Sequence, residues 1–254
     1  YGGPGRKMIE VKPAERPDET LDTFYKGKIL VLQRKNGFRF SVDAPLLASF
    51  IQTRNGDEIL EIGTGCGIIP MLLSVKPFHH IVALEVQQGL ADLARRNIML
   101  NHLDGRITIV EKDFRQYKPW HQFDIVFSNP PYIPKDSGYL SRTEEKNIAK
   151  HEILSSIEEI LKAAKDWLKS SGSAYFILPD NRREEFEKEL SQAGLKLKRC
   201  RLVYPREGEP PNFFLAECGQ TDSEVETMPP LVLYGQDGKY TEEAEAIFSG
   251  AIKR

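Results

Sequence analysis

The chain is predicted to be an α/β protein whose sheet is mostly parallel and ends in an antiparallel pair of strands. Short apolar segments typical of buried strands alternate along the chain with amphipathic segments of helical periodicity. The first of these strands runs directly into a glycine-rich loop and an apolar helix, which is the arrangement of nucleotide-binding α/β folds. Near the end, two strand-like segments follow one another with no helix between them, which favours an antiparallel pair.

The segment before the glycine loop is predicted to contain a short β-hairpin and a helix. Asn-Gly favours a tight turn, so residues 28–33 and 38–40 are expected to pair around Asn36-Gly37. Ser41 or Asp43 is expected to cap the helix that follows, because both side chains can accept hydrogen bonds from the N–H groups of a first turn.

From the first core strand onward, strands and helices alternate. Apolar residues recur at helical spacing across 87–101 and 153–168, so both segments are interpreted as helices packed on the sheet. Gly172 is expected to stop the second of these helices, because glycine commonly ends helices. Asp180 is expected to cap the next helix, which ends near Gly194. The predicted strands are 57–62, 80–85, 107–112, 123–128, 174–178, 195–204 and 213–218.

The glycine loop carries a specific cofactor signal. Glu61 is followed, one residue later, by Gly63-Thr64-Gly65-Cys66-Gly67. Glycines let the backbone turn tightly and approach a ligand closely, which side chains would prevent. The dinucleotide pattern G-x-G-x-x-G requires a third glycine where this chain has Ile68, so the spacing departs from it. The loop fits the E-x-G-x-G-x-G pattern of S-adenosylmethionine enzymes instead.

Acidic residues stand at the ends of the next two strands. Glu85 lies where a ribose diol would need an acceptor. Asp113 is placed to accept from an adenine amino group, and Phe114 to pack on the adenine ring. Each acid alone is also compatible with a solvated strand end. Their shared position at strand carboxyl ends, ahead of Asn129, favours a ligand site because open α/β sheets bind ligands at that edge.

Asn129-Pro130-Pro131-Tyr132 follows an apolar strand and indicates methyl transfer onto a planar nitrogen. A conjugated exocyclic amine is a poor nucleophile, and it attacks better when acceptors draw its N–H bonds out of plane. The side-chain carbonyl of Asn129 and the backbone carbonyl of Pro130 are the expected acceptors, and Tyr132 offers a ring face for a flat substrate. A proline-rich turn without chemistry is the alternative that this motif alone leaves open.

Together, these motifs resemble the class I S-adenosylmethionine-dependent methyltransferases that carry N-P-P-Y and methylate amino groups. The finer resemblance is to the bacterial tRNA (adenine-N6)-methyltransferases that modify valine tRNA beside the anticodon. Three stretches, which together span most of the chain, carry it: Phe38-Arg39-Phe40-Ser41-Val42-Asp43-Ala44-Pro45-Leu46-Leu47, Asn129 to Tyr132, and 229–234 with 238–243. The glycine loop and N-P-P-Y are the more specific signals.

The resemblance implies a Rossmann-like fold with a seven-stranded sheet. It implies a methyltransferase domain at 51–220, with an N-terminal extension at 1–50 that closes one wall of the cofactor pocket, and a C-terminal extension at 221–254. The polar segment 133–150 is expected to be a loop that orders over the substrate.

The same resemblance implies roles for individual residues. Glu61 would contact the methionine end of S-adenosylmethionine, Asp43 would lie near that end, and backbone N–H groups around Gly63 to Gly67 would contact its carboxylate side. A flipped-out target adenine would stack on Tyr132, with its N6 held by Asn129 and the proline that follows.

Composition limits the partners. The formal net charge of -2 gives no global nucleic-acid signature, so RNA binding must rest on a local patch. Three cysteines and five histidines show no zinc-ligand spacing, and no apolar run is long enough to span a membrane, so a reduced cytoplasmic protein without a metal is expected. The acid-free segment from Lys26 to Arg39 is the preferred phosphate contact; its cations are Lys26, Lys28, Arg34, Lys35 and Arg39.

A second basic cluster is more readily interpreted as a solvated face; it comprises Lys196, Lys198, Arg199 and Arg201. Two other functions stay open. One is methylation of a glutamine in a protein release factor, since the N-P-P-Y geometry also suits an amide nitrogen. The other is an S-adenosylmethionine-binding RNA-binding protein without turnover. The segment before the glycine loop looks too short for the helical recognition domain of the release-factor enzymes, and the intact N-P-P-Y motif disfavours a non-catalytic protein.

Overall fold

A computed structural model describes residues 15–36, 41–130 and 156–251. The strands are β1 Glu19–Phe24, β2 Ile29–Arg34, β3 Glu58–Ile62, β4 His80–Glu85, β5 Ile107–Glu111, β6 Phe123–Ser128, β7 Leu168–Pro179, β8 Lys196–Tyr204, β9 Phe213–Gly219, β10 Glu226–Thr227 and β11 Leu231–Val232. The helices are α1 Asp43–Phe50, α2 Ile68–Leu73, α3 Gln88–Leu100, α4 Ile157–Trp167, α5 Arg183–Gln192 and α6 Glu242–Ser249.

The main sheet has the order β10-β8-β9-β7-β6-β3-β4-β5, with β11 also paired to β8. Strands β3 to β7 are parallel to one another, whereas β9 runs antiparallel to both β7 and β8. This confirms the predicted Rossmann-like α/β class and its antiparallel closing pair. The predicted count of seven covers only β3 to β9, because β10 and β11, with two residues each, are too short to show a strand period.

Helices cover both faces of this sheet. Alternate residues of a strand point to opposite faces, and in β3 the side chain of Ile59 joins one apolar cluster while that of Leu60 joins the other. The cluster around Ile59 includes residues of α1, α2 and α3, and the cluster around Leu60 includes residues of α4 and α5. Burial on both faces explains why the core strands are continuous apolar runs.

The segment before α1 contains a hairpin of β1 and β2 that is not predicted from the sequence. Strand β2 lies where expected, but it pairs with β1 on its N-terminal side, with Glu19 opposite Arg34. Gly27 takes the left-handed conformation in this turn, which it adopts without steric cost. The predicted pairing of 28–33 with 38–40 around Asn36-Gly37 stays a prediction, because residues 37–40 lie outside the described part of the chain.

Gly172 does not stop a helix. Helix α4 ends at Trp167, and Leu168 already has extended backbone, so Gly172 lies inside β7. A Cβ at this position would approach the Asp124 carbonyl oxygen to 2.8 Å, so the glycine permits close packing of β7 against β6. The predicted cap at Asp180 is also wrong, since α5 begins after a 3₁₀ turn and has no side-chain cap.

The last helix connects the C-terminal part of the chain to the hairpin. Helix α6 contacts α1 and β11. Gly250 follows it in a left-handed conformation and lies against the ring of Tyr25, where any Cβ would clash. Burial of that ring raises the pKa of Tyr25 to about 12. The tip of the hairpin is therefore fixed at the end of α6.

Candidate active site

The carboxyl ends of four neighbouring parallel strands form one edge of the sheet. The strands lie in the order β6, β3, β4 and β5. Ile62 is opposite Ser128 on one side and Leu84 on the other, and Glu85 is opposite Glu111. This register brings the segments that follow these strands to the same edge. The residues predicted for the site that follow or end these strands are Glu61, Gly63, Thr64, Gly65, Gly67, Glu85, Asp113, Phe114, Asn129 and Pro130.

The glycine loop folds back over the end of β4. The backbone N–H groups of Gly63 and Thr64 both donate to the Leu84 carbonyl oxygen, at 3.0 and 2.9 Å. Gly63, Gly65 and Gly67 all have positive φ, a conformation that side chains disfavour. At Gly67 a Cβ would also come within 3.3 Å of Ala94 on α3, so the loop packs closely on that helix.

Glu61 is a buried carboxyl group at the end of β3. Only 1% of the residue is exposed, and burial raises the pKa of Glu61 to about 8. The Thr64 hydroxyl lowers this pKa, and nearby Glu85 adds a smaller upward contribution. Among the described residues, neither its Oε2 nor the buried Thr64 Oγ1 makes a hydrogen bond of good geometry, although the hydroxyl lies close enough to the carboxyl group to lower its pKa. Because buried polar atoms are nearly always well paired in native proteins, this Glu61–Thr64 pair beside a glycine loop has capacity for a polar ligand.

Glu85 supports the loop directly. Its Oε2 accepts from the Gly65 N–H at 2.8 Å, and its Oε1 accepts from the Gln87 N–H at 2.9 Å. Burial raises the pKa of Glu85, whereas these backbone hydrogen bonds lower it. Each carboxylate oxygen has further acceptor capacity, so the two bonds leave room for a ligand hydroxyl.

Asp113 is engaged by a neighbour that the sequence did not indicate. Both carboxylate oxygens contact the Arg115 side chain, with a shortest distance of 2.6 Å, and this pairing lowers the pKa of Asp113. Its Oδ1 also accepts from the Arg115 N–H. Phe114 packs edge-on against Trp167 at the end of α4, with ring centroids 6.5 Å apart. An adenine amino group that donates to Asp113 would therefore share its carboxylate with the Arg115 guanidinium.

Asn129 follows β6 and donates from Nδ2 to Asp43 Oδ2 at 2.9 Å. The other oxygen of Asp43 accepts from the Ser41 hydroxyl at 2.6 Å and from the Ala44 N–H at 3.0 Å. The predicted cap is wrong, because Val42 is the N-cap residue of α1 and makes no side-chain cap. A carboxylate only accepts hydrogen bonds, so Asp43 determines which end of the Asn129 amide faces it. Of the rest of the motif, Pro130 is buried, and Tyr132 and the segment 133–150 lie outside the described ranges.

Asn97 joins the hairpin to the glycine loop, and the sequence interpretation did not include it. The residue is fully buried on α3. Its Oδ1 accepts from the Leu32 N–H at 2.7 Å, and its Nδ2 donates to the carbonyl oxygens of Leu32 at 3.0 Å and Cys66 at 2.9 Å. One turn later, Asn101 makes the matching pair of bonds with Leu30. The available signal was a polar residue on the apolar stripe of α3.

The predicted phosphate-binding segment is divided between two ends of the hairpin. Arg34 lies at the end of β2, against the backbone of Gly89 in the first turn of α3. Exposed Lys35 follows it. Lys26 and Lys28 are exposed in the turn at the other end of the six-residue strand, about 17 Å away at 3.3 Å per residue. Residues 37–40, which include Arg39, lie outside the described ranges.

The cations of the second basic cluster are paired within the chain. Arg199 is buried, and its side chain donates to Glu217 at 2.8 Å and to the Phe50 carbonyl oxygen at 3.0 Å. Lys198 lies beside the same glutamate, Arg201 pairs with Glu243, and Lys196 lies 3.5 Å from Asp222. These contacts make β8 a weak candidate for binding phosphates.

Two classes of site can be tested across the described ranges. No group of three or more His, Cys, Asp or Glu residues there is arranged to hold a metal ion. Within the same ranges, no helix has the length and apolar character needed to cross a membrane.

The chain is similar to a protein family, to two named relatives and to a solved structure. A family model described as a methyltransferase small domain matches residues 39–201. The chain is 28% identical over 194 residues to a tRNA1(Val) (adenine(37)-N6)-methyltransferase of Bacteroides thetaiotaomicron, covering 76% of this chain and 81% of that protein. It is 30% identical over 182 residues to the enzyme of that name from Aliivibrio fischeri, covering 71% and 77%. A crystal structure of a predicted O-methyltransferase from Agrobacterium tumefaciens shares the fold, with a TM-score of 0.65 and 20% identity over 84% of this chain and 98% of that one.

Proposed function

This chain belongs to the methyltransferase small domain family, and we propose that it transfers a methyl group from S-adenosylmethionine to N6 of an adenine in tRNA. One observation carries the proposal: Asn129 follows β6 beside the strand that leads into the glycine loop, so an amine held by Asn129 would face a cofactor held by that loop. The two curated relatives described above are tRNA1(Val) (adenine(37)-N6)-methyltransferases, which supports the same substrate.

The residues at the loop fit S-adenosylmethionine. The cofactor presents an ammonium and a sulfonium, for which the buried Oε2 of Glu61 is a suitable partner. Glu85 retains acceptor capacity for ribose hydroxyls, and the glycines of the loop permit close approach of the cofactor. The N–H groups of Gly63, Thr64, Gly65 and Gly67 donate within the chain and hold the loop in shape. When bound, the cofactor supplies an electrophilic methyl group. We assign Glu61, Glu85 and the loop to holding it, with Asp113 and Phe114 at the adenine end.

Asn129 and Pro130 are assigned to the target amine. Asp43 holds Nδ2 of the Asn129 amide, so Oδ1 is the atom that would accept one N–H of the amine, and the Pro130 carbonyl would accept the other. The amine gains positive charge as it attacks, so fixed acceptors stabilise the transition state more than the ground state. The proton leaves to solvent after transfer. In this scheme Asp43 is a positioning residue for Asn129, and Tyr132 supplies the stacking face.

Two variants test these assignments. Asn129→Ala is expected to lower methyl transfer by about 10²-fold or more, as for the loss of one preorganised contact, with S-adenosylmethionine affinity near wild type. Asp43→Asn removes the fixed amide orientation and is expected to lower kcat with unchanged cofactor affinity. A rise in the cofactor Kd with normal kcat would instead make Asp43 a cofactor contact. Calorimetric titration and single-turnover transfer on each variant separate these outcomes.

We propose that the active-site end of the hairpin contacts tRNA phosphates. Arg34 and Lys35 lie at that end, and the matched control is the other end, at Lys26 and Lys28. Arg34→Glu with Lys35→Glu is expected to weaken tRNA binding at low salt and to flatten its salt dependence by up to about two units of slope. Lys26→Glu with Lys28→Glu is expected to have the smaller effect. Equal effects of the two pairs would place the contact along the whole hairpin.

The substrate class is tested by offering labelled S-adenosylmethionine with total tRNA, ribosomal RNA and release factors side by side. Label in N6-methyladenosine from tRNA is the expected result. Label in a release factor would favour the glutamine alternative, and cofactor binding without transfer to any of them would favour a non-catalytic protein. We also propose that 51–220 is the catalytic domain between two extensions, and that the enzyme works in the cytoplasm on tRNA.

A further inference from the structure

The glycine loop is supported from beneath by α3 at two adjacent points. Ala94 contacts the position where Gly67 lacks a Cβ, and Asn97, one turn later, donates to the Cys66 carbonyl oxygen at 2.9 Å. The Cys66 carbonyl belongs to the glycine loop, and the next N–H group, that of Gly67, donates to the Thr64 carbonyl oxygen of the same loop at 3.0 Å. Fixing one side of a peptide plane fixes the other, because the peptide group is planar. Asn97 therefore constrains the direction of the N–H group of Gly67 as well.

The same amide also binds the hairpin. The Leu32 N–H in β2 donates to the Asn97 side chain, and the Leu32 carbonyl oxygen accepts from it, as both would with a neighbouring strand. The hairpin is held to α3 a second time by a partly buried bidentate pair between Glu19 of β1 and Arg96. Because Asn97 binds both Leu32 of the hairpin and Cys66 of the loop, a displacement of the hairpin would move Asn97 and disturb the loop.

We infer that Asn97 is a positioning residue for the cofactor loop, and that it couples docking of the N-terminal hairpin to S-adenosylmethionine affinity. The geometry distinguishes it from Asn101, which binds Leu30 of the same strand and no residue of the loop. If Asn97 only stabilised the fold, the two asparagines would be equivalent. If it positions the loop, only Asn97 affects the cofactor. The inference depends on the cofactor and does not require that RNA is the substrate.

The test compares Asn97→Leu with Asn101→Leu, because leucine is close to asparagine in shape but cannot make its hydrogen bonds. Asn97→Leu is expected to raise the Kd for S-adenosylmethionine about tenfold, the scale for losing one hydrogen bond, here the bond from Asn97 to the Cys66 carbonyl oxygen. Its KM for the cofactor should rise by a similar factor, while kcat at saturating cofactor stays within about twofold. Asn101→Leu is expected to lower the melting temperature but to change the cofactor Kd less than twofold. If Asn97→Leu fails to fold, Asn97→Ser, which retains a hydroxyl, is measured in its place.

A double-mutant cycle tests the coupling to the hairpin. Glu19→Gln weakens the second attachment of the hairpin and is expected to raise the cofactor Kd about threefold in the wild type, but to add nothing in Asn97→Leu. Equal cofactor affinity in Asn97→Leu and wild type would overturn the inference. So would an equal loss in Asn101→Leu, or an undiminished Glu19→Gln effect in the Asn97 variant. Calorimetry measures all of these without methyl transfer, so failure here is distinguishable from an incorrect substrate assignment.

Discussion

Burial of Glu61 should make cofactor binding depend on pH, and Glu61→Gln is the change that tests it. The pKa of Glu61 is raised to about 8, so below that pH its carboxyl group is protonated and offers no charge to a cationic ligand. Ionising it then costs about 1.4 kcal/mol for each pH unit below 8. At pH 6 the cost is about 3 kcal/mol, so the wild-type Kd for S-adenosylmethionine should be roughly 100-fold weaker than at pH 8.5.

The same shift acts on folding with a definite sign. The pKa of Glu61 in the folded chain lies above its ordinary value of 4.5, so the folded state binds the proton more tightly than the unfolded state. Its contribution to folding stability is complete below about pH 4.5 and is lost as the pH rises through about 8. Without cofactor, Glu61→Gln should therefore be more stable than the wild type at pH 8.5 and similar to it near pH 5.

The assay is calorimetric titration from pH 6 to 8.5 in two buffers of different ionisation enthalpy. Wild type should release close to one proton on binding near pH 6.5, whereas Glu61→Gln should release none from this position. Both proteins experience the titration of the cofactor's own amine, so the difference between them isolates Glu61. A difference in binding free energy that stays constant across this pH range would refute the reasoning, because it would mean that Glu61 is already ionised or does not meet the cation.

Three further results are expected. Glu85→Ala should weaken S-adenosylmethionine binding by about 1.5–3 kcal/mol in calorimetry, and unchanged affinity would remove Glu85 from the site. Glu217→Gln leaves Arg199 buried without its carboxylate and should lower the free energy of unfolding in urea by about 3–5 kcal/mol. Lys196→Gln affects only an exposed pair and should lower it by less than about 1 kcal/mol. Similar urea midpoints for the two variants would contradict this. S-adenosylmethionine should raise the melting temperature of the protein, and NAD should not. A larger rise with NAD would contradict the assignment of the glycine loop to S-adenosylmethionine.

The fold and the edge that carries the site follow from local sequence. Continuous apolar runs between amphipathic helices can only be buried in a sheet covered on both faces, and β3 to β6 have that form. Once such strands are parallel, their carboxyl ends share an edge, so Glu61, Glu85 and Asn129 are predicted at the same edge, and the order β6-β3-β4 then makes them neighbours. The glycine spacing adds the cofactor class, because it reports backbone conformations that few other residues adopt.

The contacts within the site could not be predicted in this way. Asp43 and Asn129 are 86 residues apart, and Asn97 and Leu32 are 65 residues apart, so no local pattern records either hydrogen bond. Arg115 lies only two residues beyond Asp113, yet whether two neighbouring side chains pair depends on rotamers that the sequence does not specify. The β1–β2 hairpin is a related case, because its turn is held by packing of Tyr25 against Gly250 after α6, which no local pattern records.

The order of the strands also has a consequence for the time course of folding. β3, β4 and β5 are neighbours both along the chain and in the sheet, so their pairings close comparatively short loops. The pairing of β9 with β7 is different, because α5 and β8 lie between these two strands along the chain and the loop to be closed is longer. In refolding followed by hydrogen exchange, the amides that join β3, β4 and β5 should become protected before those that join β9 to β7. On the ribosome, the part of the sheet that holds the cofactor can begin to form while the strands at its far edge are still being synthesised.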